Sequence, residues 1–234
     1  MRSLSRLVIV AAVFALVSVG VAHGGEARPA SPAAGDPHHG VAGGDLSDWL
    51  ARYWTTIMKL PADSNPYAGT GDPCIPLDGR TIAPYALPPE QPRLTCVVRP
   101  GTRVLMLGAI AECSDLEGDP FHATTYPGAI ACAKEWIGDL TRHEVLVDRS
   151  QRIDLLAGHS AATPYLSVRL PEGNIFGVAE NTRIKFASFG YGVLLRPLSP
   201  GRHDITIKQV GQANPTPVSP TFVVTVIVRP GGHD

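Results

Sequence analysis

The chain has 234 residues, with 20 Lys and Arg against 21 Asp and Glu and a formal net charge of −1. Gly (24) and Pro (22) are abundant while aromatic residues make up only 6%, a composition that suits short strands joined by turns better than a helical bundle. So even a charge balance gives no electrostatic case for a nucleic-acid partner or an anionic membrane surface.

At the start, "MRSLSRLVIVAAVFALVSVGVAHGG" sets Arg2 and Arg6 ahead of an uncharged apolar run from Leu7 to Ala22, followed by small residues. This is the layout of an export signal, expected over residues 1–24. The run is shorter than the roughly 20 residues a membrane-spanning helix prefers, so no membrane insertion is expected after cleavage. Cleavage there leaves 18 basic residues against 21 acidic ones, a net charge of −3. Residues 25–44 hold Ala, Pro, Gly and His with little to bury, and read as a disordered linker.

Residues 45–230 read as a single domain, and 231–234 as a flexible tail. In "DLSDWLARYWTTIMKLP" the apolar residues Leu46, Trp49, Leu50, Tyr53, Trp54, Ile57 and Met58 recur at spacings of three and four. That periodicity predicts an amphipathic helix, capped by Asp45 or Ser47, ended near Leu60 by Pro61, and packed on the face of a sheet. The next stretch, "PADSNPYAGTGDPCIPLDGR", reads as turns throughout. About nine apolar runs follow between Pro and Gly, among them "RLTCVV", "TRVLMLGAIA", "RIKFASF", "GVLLRPL" and "FVVTVIV". Alternation at Tyr165–Leu170 and Asp204–Val210 marks half-buried strands, whereas the continuous "FVVTVIV" marks an inner one. "CAKEWIGDL" reads as a single helical turn. The expected fold is mainly β: an antiparallel two-sheet β-sandwich of jelly-roll or Greek-key type with one N-terminal amphipathic helix.

Cys74, Cys96, Cys113 and Cys132 fall in one window of a chain that reads as exported, and indicate two disulfides. Three pairings are open. Cys74 with Cys96 and Cys113 with Cys132 is preferred, because each closes one local excursion of about 20 residues, worth on the order of 3 kcal/mol. No Cys-x-x-Cys occurs to suggest zinc instead.

The stretches "WLARYWTTIMKLPADSNP", "TCVVRPGTRVLMLGAIAEC", "TPYLSVRLPEGNIFGV" and "YGVLLRPLSPGRHDITI" are similar to a family of uncharacterised exported bacterial proteins. The resemblance runs from about Trp49 to Val228 and implies export and a shared β-sandwich, with no catalytic residue to carry over. This chain departs from the family pattern at "IAPYALPPEQPRL", which is Pro-rich where Gly and aromatic residues are expected. In "LPEGNIFGV" a turn places Gly173 or Asn174 at positive φ, and in "LSPGRHDITI" Pro200-Gly201 forms the centre of a second turn leading into a strand.

For chemistry, "GHSAA" approaches the nucleophile elbow of secreted hydrolases and makes Ser160 a candidate serine, with His143, His159 or His203 as bases. Ala162 replaces the closing Gly, and Thr163-Pro164 disfavours the helix such an elbow needs. In "CSDLEGDP" the carboxylates of Asp115, Glu117 and Asp119 suggest a structural calcium, although the EF-hand spacing fails. With Glu112 the same acids suggest a glycosidase pair, which only a distance across a cleft can decide. The expected function is therefore an exported non-catalytic binding or structural module, its partner an extracellular protein, a glycan or a small ligand. The alternative is a secreted hydrolase acting on an ester or glycan.

Overall fold

A computed structural model describes residues 44–85, 93–212, 217–218 and 221–230. The expected signal, residues 25–43 of the linker and the tail lie outside the described residues. α1 spans Leu46–Met58, with the Asp45 side chain accepting the Ser47 N–H at 2.8 Å. Leu50, Tyr53, Trp54, Ile57 and Met58 form its buried stripe, at about 2 kcal/mol of apolar burial for each.

Among the described residues twelve strands follow: β1 Cys74–Asp78, β2 Thr81–Pro84, β3 Arg93–Val98, β4 Arg103–Ser114, then, beyond a second helix, β5 Asp139–Val147, β6 Gln151–Asp154, β7 Ser160–Ala162, β8 Leu166–Arg169, β9 Arg183–Leu195, β10 Gly201–Gln212, β11 Pro217–Val218 and β12 Thr221–Val228. Sheet I has the order β1-β2-β4-β9-β7, with β8 also paired to β9. Sheet II has the order β3-β12-β10-β5-β6, with β11 on the end of β10. "FVVTVIV" is an inner strand of sheet II, between β3 and β10. The expected two-sheet sandwich is present.

Four features differ from the sequence expectation. Both sheets are mixed, because β2 runs parallel to β4 and β3 parallel to β12. "CIPLD", read as a turn because of its prolines and Asp, forms strand β1 at the rim of sheet I, a position where Pro costs no ladder hydrogen bond. "RIKFASF" and "GVLLRPL" belong to one strand, β9. Finally, "CAKEWIGDL" is the second half of a full helix, α2, Tyr126–Ile137, capped by Thr125 and ended at Gly138 with φ 67°. Of its buried residues Ala129, Ala133 and Ile137, the two that pack closely on β4 and β9 are small, so the stripe shows no large apolar period.

β9 alternates strictly. Ile184, Phe186 and Leu194 face α1, whereas Val193 and Leu195 face sheet II and Ala187 faces α2. β4 does not. Leu105 and Leu107 face α1 and Val104 and Met106 face sheet II, but past a register shift between Leu107 and Ile110 the even residue Ile110 joins the α1 side and the odd Cys113 joins the α2 side. One extra residue in β4 thus reverses the parity of everything after it. The bulge is held from across the sandwich: His143 of β5, 1% exposed, accepts the Ala109 N–H through Nε2 at 3.2 Å. Gly108 leaves room for the imidazole, since a Cβ there would stand 1.9 Å from His143 Nε2.

The disulfides join Cys74 to Cys96 and Cys113 to Cys132, with Cα separations of 5.7 and 6.2 Å. This is the pairing preferred from the sequence. The first ties sheet I to sheet II through β1 and β3; the second ties β4 to α2. Gly173 has the expected positive φ, 62°, and Gly201 has φ 137° at the start of β10. Among the described residues no helix is long and apolar enough to cross a membrane.

Two outcomes are expected. Gly108→Ala should cost about 2 kcal/mol of stability in chemical denaturation, the scale of core overpacking. Burial lowers the pKa of His143 from 6.5 to about 4, with Asp154 opposing. The unfolded chain therefore binds the extra proton first, and stability from this group is lost as pH falls from about 6.5 to 4, on the order of 3 kcal/mol. Unfolding curves of wild type and His143→Gln should converge by that amount across this interval; a constant gap would contradict the buried neutral imidazole.

Candidate functional site

The β4 bulge has a chemical consequence. After it, Glu112 lies on the α1 side of the strand, and the partner strand β2 has already ended, pairing with β4 only at Arg103 and Val104. Along this open edge of β4 runs a cleft of about 420 Å³. Trp54, Ile57 and Met58 of α1 form one wall, Trp136 and Ile137 at the end of α2 another, and Ile175 and Phe176 of the β8–β9 loop close a third side. A second depression, of about 520 Å³, shares Tyr67, Glu117, Phe121, Ile175 and Phe176 with it and leads outward.

Local hydrogen bonds fix these walls. Asn65 is fully buried; its Nδ2 donates to Ile57 O at 2.9 Å, closing the end of α1, and its Oδ1 accepts the Tyr67 N–H at 2.9 Å. Tyr67 is thereby turned over the cleft, its hydroxyl 3.2 Å from that of Tyr53. Asn174 donates from Nδ2 to Pro171 O and Val178 O at 2.9 and 2.8 Å, holding the loop that carries Ile175 and Phe176. Phe121 stacks on Trp136 with ring centres 4.2 Å apart.

Inside this apolar frame two carboxyl groups meet. Glu117, in the loop after β4, accepts the Ser114 hydroxyl at 3.0 Å and lies against Glu112. Glu112 is only 9% exposed, and no protein donor reaches its Oε2. Trp54 Nε1, also buried, has no acceptor. Burial first, and then the charge and hydrogen bond of Glu117, push the Glu112 carboxyl well above the usual range. Burial raises Glu117 to about 7, against the lowering hydrogen bonds of Ser114 and Glu112. The two carboxyls therefore titrate as a pair, both held above the ordinary range by burial. Among the described residues lining the cleft there is no Lys, Arg or His.

The residues singled out in the sequence scatter. Ser160 is exposed on the short strand β7, opposite Tyr191, and no imidazole is hydrogen-bonded to it among the described residues. Asp115 accepts the Lys185 N–H at 2.8 Å, Glu117 turns into the cleft, and Asp119 faces solvent. They do not converge as a calcium loop would require, and among the described residues no three His, Cys, Asp or Glu form a metal-holding group. The glycosidase geometry also fails, because Glu112 and Glu117 interact within hydrogen-bonding reach, whereas retaining enzymes keep about 5 Å between carboxyls.

His203 lies near a different serine. Its Nδ1 is 2.7 Å from Asp148 Oδ2, and its Nε2 is 2.9 Å from the Ser199 carbonyl and 3.4 Å from the Ser199 hydroxyl. The shorter contact shows Nε2–H donating to a carbonyl. With its ring nitrogen spent in this way, the imidazole clamps the β9–β10 turn to the β5–β6 turn and is not aimed at a nucleophile.

No protein-family model matches the chain, and no curated protein matches it. A crystal structure of a cysteine protease inhibitor from Entamoeba histolytica aligns with 64% of this chain and 95% of its own, at 10% identity and a TM-score of 0.22. A likeness that low carries neither fold nor function. The cleft must be read from its own chemistry.

One titration tests the carboxyl pair. With pKa values raised above the unfolded value of 4.5, the pair's contribution to stability is complete below that pH and is lost as pH rises through about 7. Glu112→Gln removes the repulsion that appears on deprotonation. Its melting temperature relative to wild type should climb by several degrees between pH 5 and pH 8.5; a flat difference would mean the two carboxyls share no proton.

Proposed function

We propose that this protein is an exported, non-catalytic binding module that holds a small, largely apolar ligand in the cleft between α1, the free edge of β4 and the end of α2. The observation that carries this reading is a nine-tenths-buried carboxyl group, Glu112, with an oxygen that no protein donor reaches, opening into a ring-lined cavity of small-molecule size. Export is supported by the Arg2 and Arg6 charges ahead of the Leu7–Ala22 run and by two disulfides, which persist in oxidising compartments.

A second reading has one observation in its favour. Two carboxyls sharing a proton near neutral pH can act as general acid and base on a hydrolysable bond. Ester and glycan panels run with wild type, Glu112→Gln and Ser160→Ala separate the two. Turnover abolished by Glu112→Gln would replace the binding reading with a carboxyl-dyad hydrolase, and loss with Ser160→Ala would point to β7 instead.

The binding reading itself is tested with the neutral dye Nile red. Wild type should enhance and blue-shift its emission, and Ile175→Trp, which fills the cleft from a loop, should weaken that binding about tenfold. Equal binding by the two proteins would remove the cleft as the site.

A further inference from the structure

We infer that the cleft takes an organic ammonium ion, an amine carried on an apolar body, with its N–H groups donated to Glu112 and Glu117 and its charge set among aromatic rings. This rests on the cleft being a ligand site and adds the ligand's chemical class.

Three observations converge on a cation with hydrogens to give. The first is what is missing between the carboxyls. Glu112 is 9% exposed, and Oε2 receives no hydrogen from the protein, although its neighbour is another acid. Two acceptor groups can stay in contact only if a hydrogen lies between them. A shared proton supplies one hydrogen; an ammonium group supplies up to three together with the charge that balances the site, and bonds between ionised partners are the stronger kind. The second is the absence of any other counter-charge. Among the described residues lining the cleft there is no Lys, Arg or His, so an ionised carboxylate there has no counter-charge from the lining, which disfavours the ionised form unless a charge arrives from outside.

The third is the set of rings. Trp54, Tyr67, Phe121 and Trp136 line the same cavity as the two acids. The faces of such rings carry the negative part of their quadrupole and attract organic cations, best when water is excluded. The rest of the lining, Ile57, Met58, Ile110 and Ile175, is aliphatic and suits a hydrocarbon body. An anion would be repelled by the acids. A calcium ion would want six to eight oxygen ligands, and among the described residues no three metal-ligating side chains come together for any metal. A sugar would find few polar partners beyond the acids, Gln209 and Trp54 Nε1.

The test uses three probes with one body and three charges: 4-phenylbutylammonium, 4-phenylbutan-1-ol and 4-phenylbutyrate. They are titrated calorimetrically in amine-free phosphate buffer into wild type, Glu112→Gln and Glu117→Gln. The ammonium probe should bind wild type at least tenfold more tightly than the alcohol, and the carboxylate should bind more weakly still. Each Gln variant should lose about tenfold for the ammonium probe while keeping the alcohol within about twofold. Both substitutions are isosteric with the protonated acid, and circular dichroism verifies that they fold; either one alone carries the comparison. An alcohol bound as tightly as the amine, a carboxylate bound more tightly, or amine affinity unchanged in the folded variants would overturn the ammonium assignment and leave the cleft as a site for neutral ligands. Failure of all three probes to bind wild type would overturn both readings.

Discussion

One surplus residue in β4 sets the relation between this fold and its cleft. Where Leu107 opposes Gly192, the next aligned pair is Ile110 with Gly190, so three steps on one strand match two on the other. Without that surplus, Glu112 would point toward the sheet II and α2 side with the even residues Val104 and Met106, and Cys113 would face α1. The bulge survives because its unpaired Ala109 N–H finds His143 Nε2, and because Gly108 has no side chain to block the approach. A hydrogen bond between the two sheets thereby orients a carboxyl group on the far side of one of them.

The cost of the arrangement is electrostatic. Two acids in an apolar cleft with no basic residue among its described lining oppose folding at neutral pH, while the packed stripe of α1 and the core between the sheets favour it. Buried His143 and the Glu112–Glu117 pair respond oppositely to pH: the imidazole weakens the fold on acidification, the acids on alkalinisation. Groups so unfavourable to leave empty are commonly found where a protein performs its chemistry or recognition.

Much of the frame was legible in the chain. α1 announced itself through large apolar residues at helical spacing and a capping Asp45, and most strands through alternation between Pro and Gly. The adjacent-pair disulfides followed from loop closure. α2 was largely hidden because its buried face is alanine except for Ile137 at its end, which leaves too little period for a hydrophobic pattern to display. β1 was hidden by prolines that a rim strand tolerates. The acid pair was visible as a list of carboxylates but could not be assembled, because strand periodicity extended through "LGAIAEC" assigns Glu112 to the wrong face. The one signal of the bulge was Gly108 inside an otherwise apolar strand, where glycine often marks an extra residue. Convergence of Asn65 and Asn174 on the cleft walls left no trace in linear order, since each works through backbone carbonyls that only the folded chain brings near.

The crosslink between Cys113 and Cys132 stands one residue from Glu112 on β4 and four from Trp136 on α2. It therefore covalently fixes the acidic side of the cavity against an aromatic side, where otherwise a layer of alanines would hold the helix in place. Oxidation then does more than resist unfolding: it sets the spacing between charge and ring. With reduced thiols, the acids on β4 and the rings on α2 would be held at their spacing by packing alone.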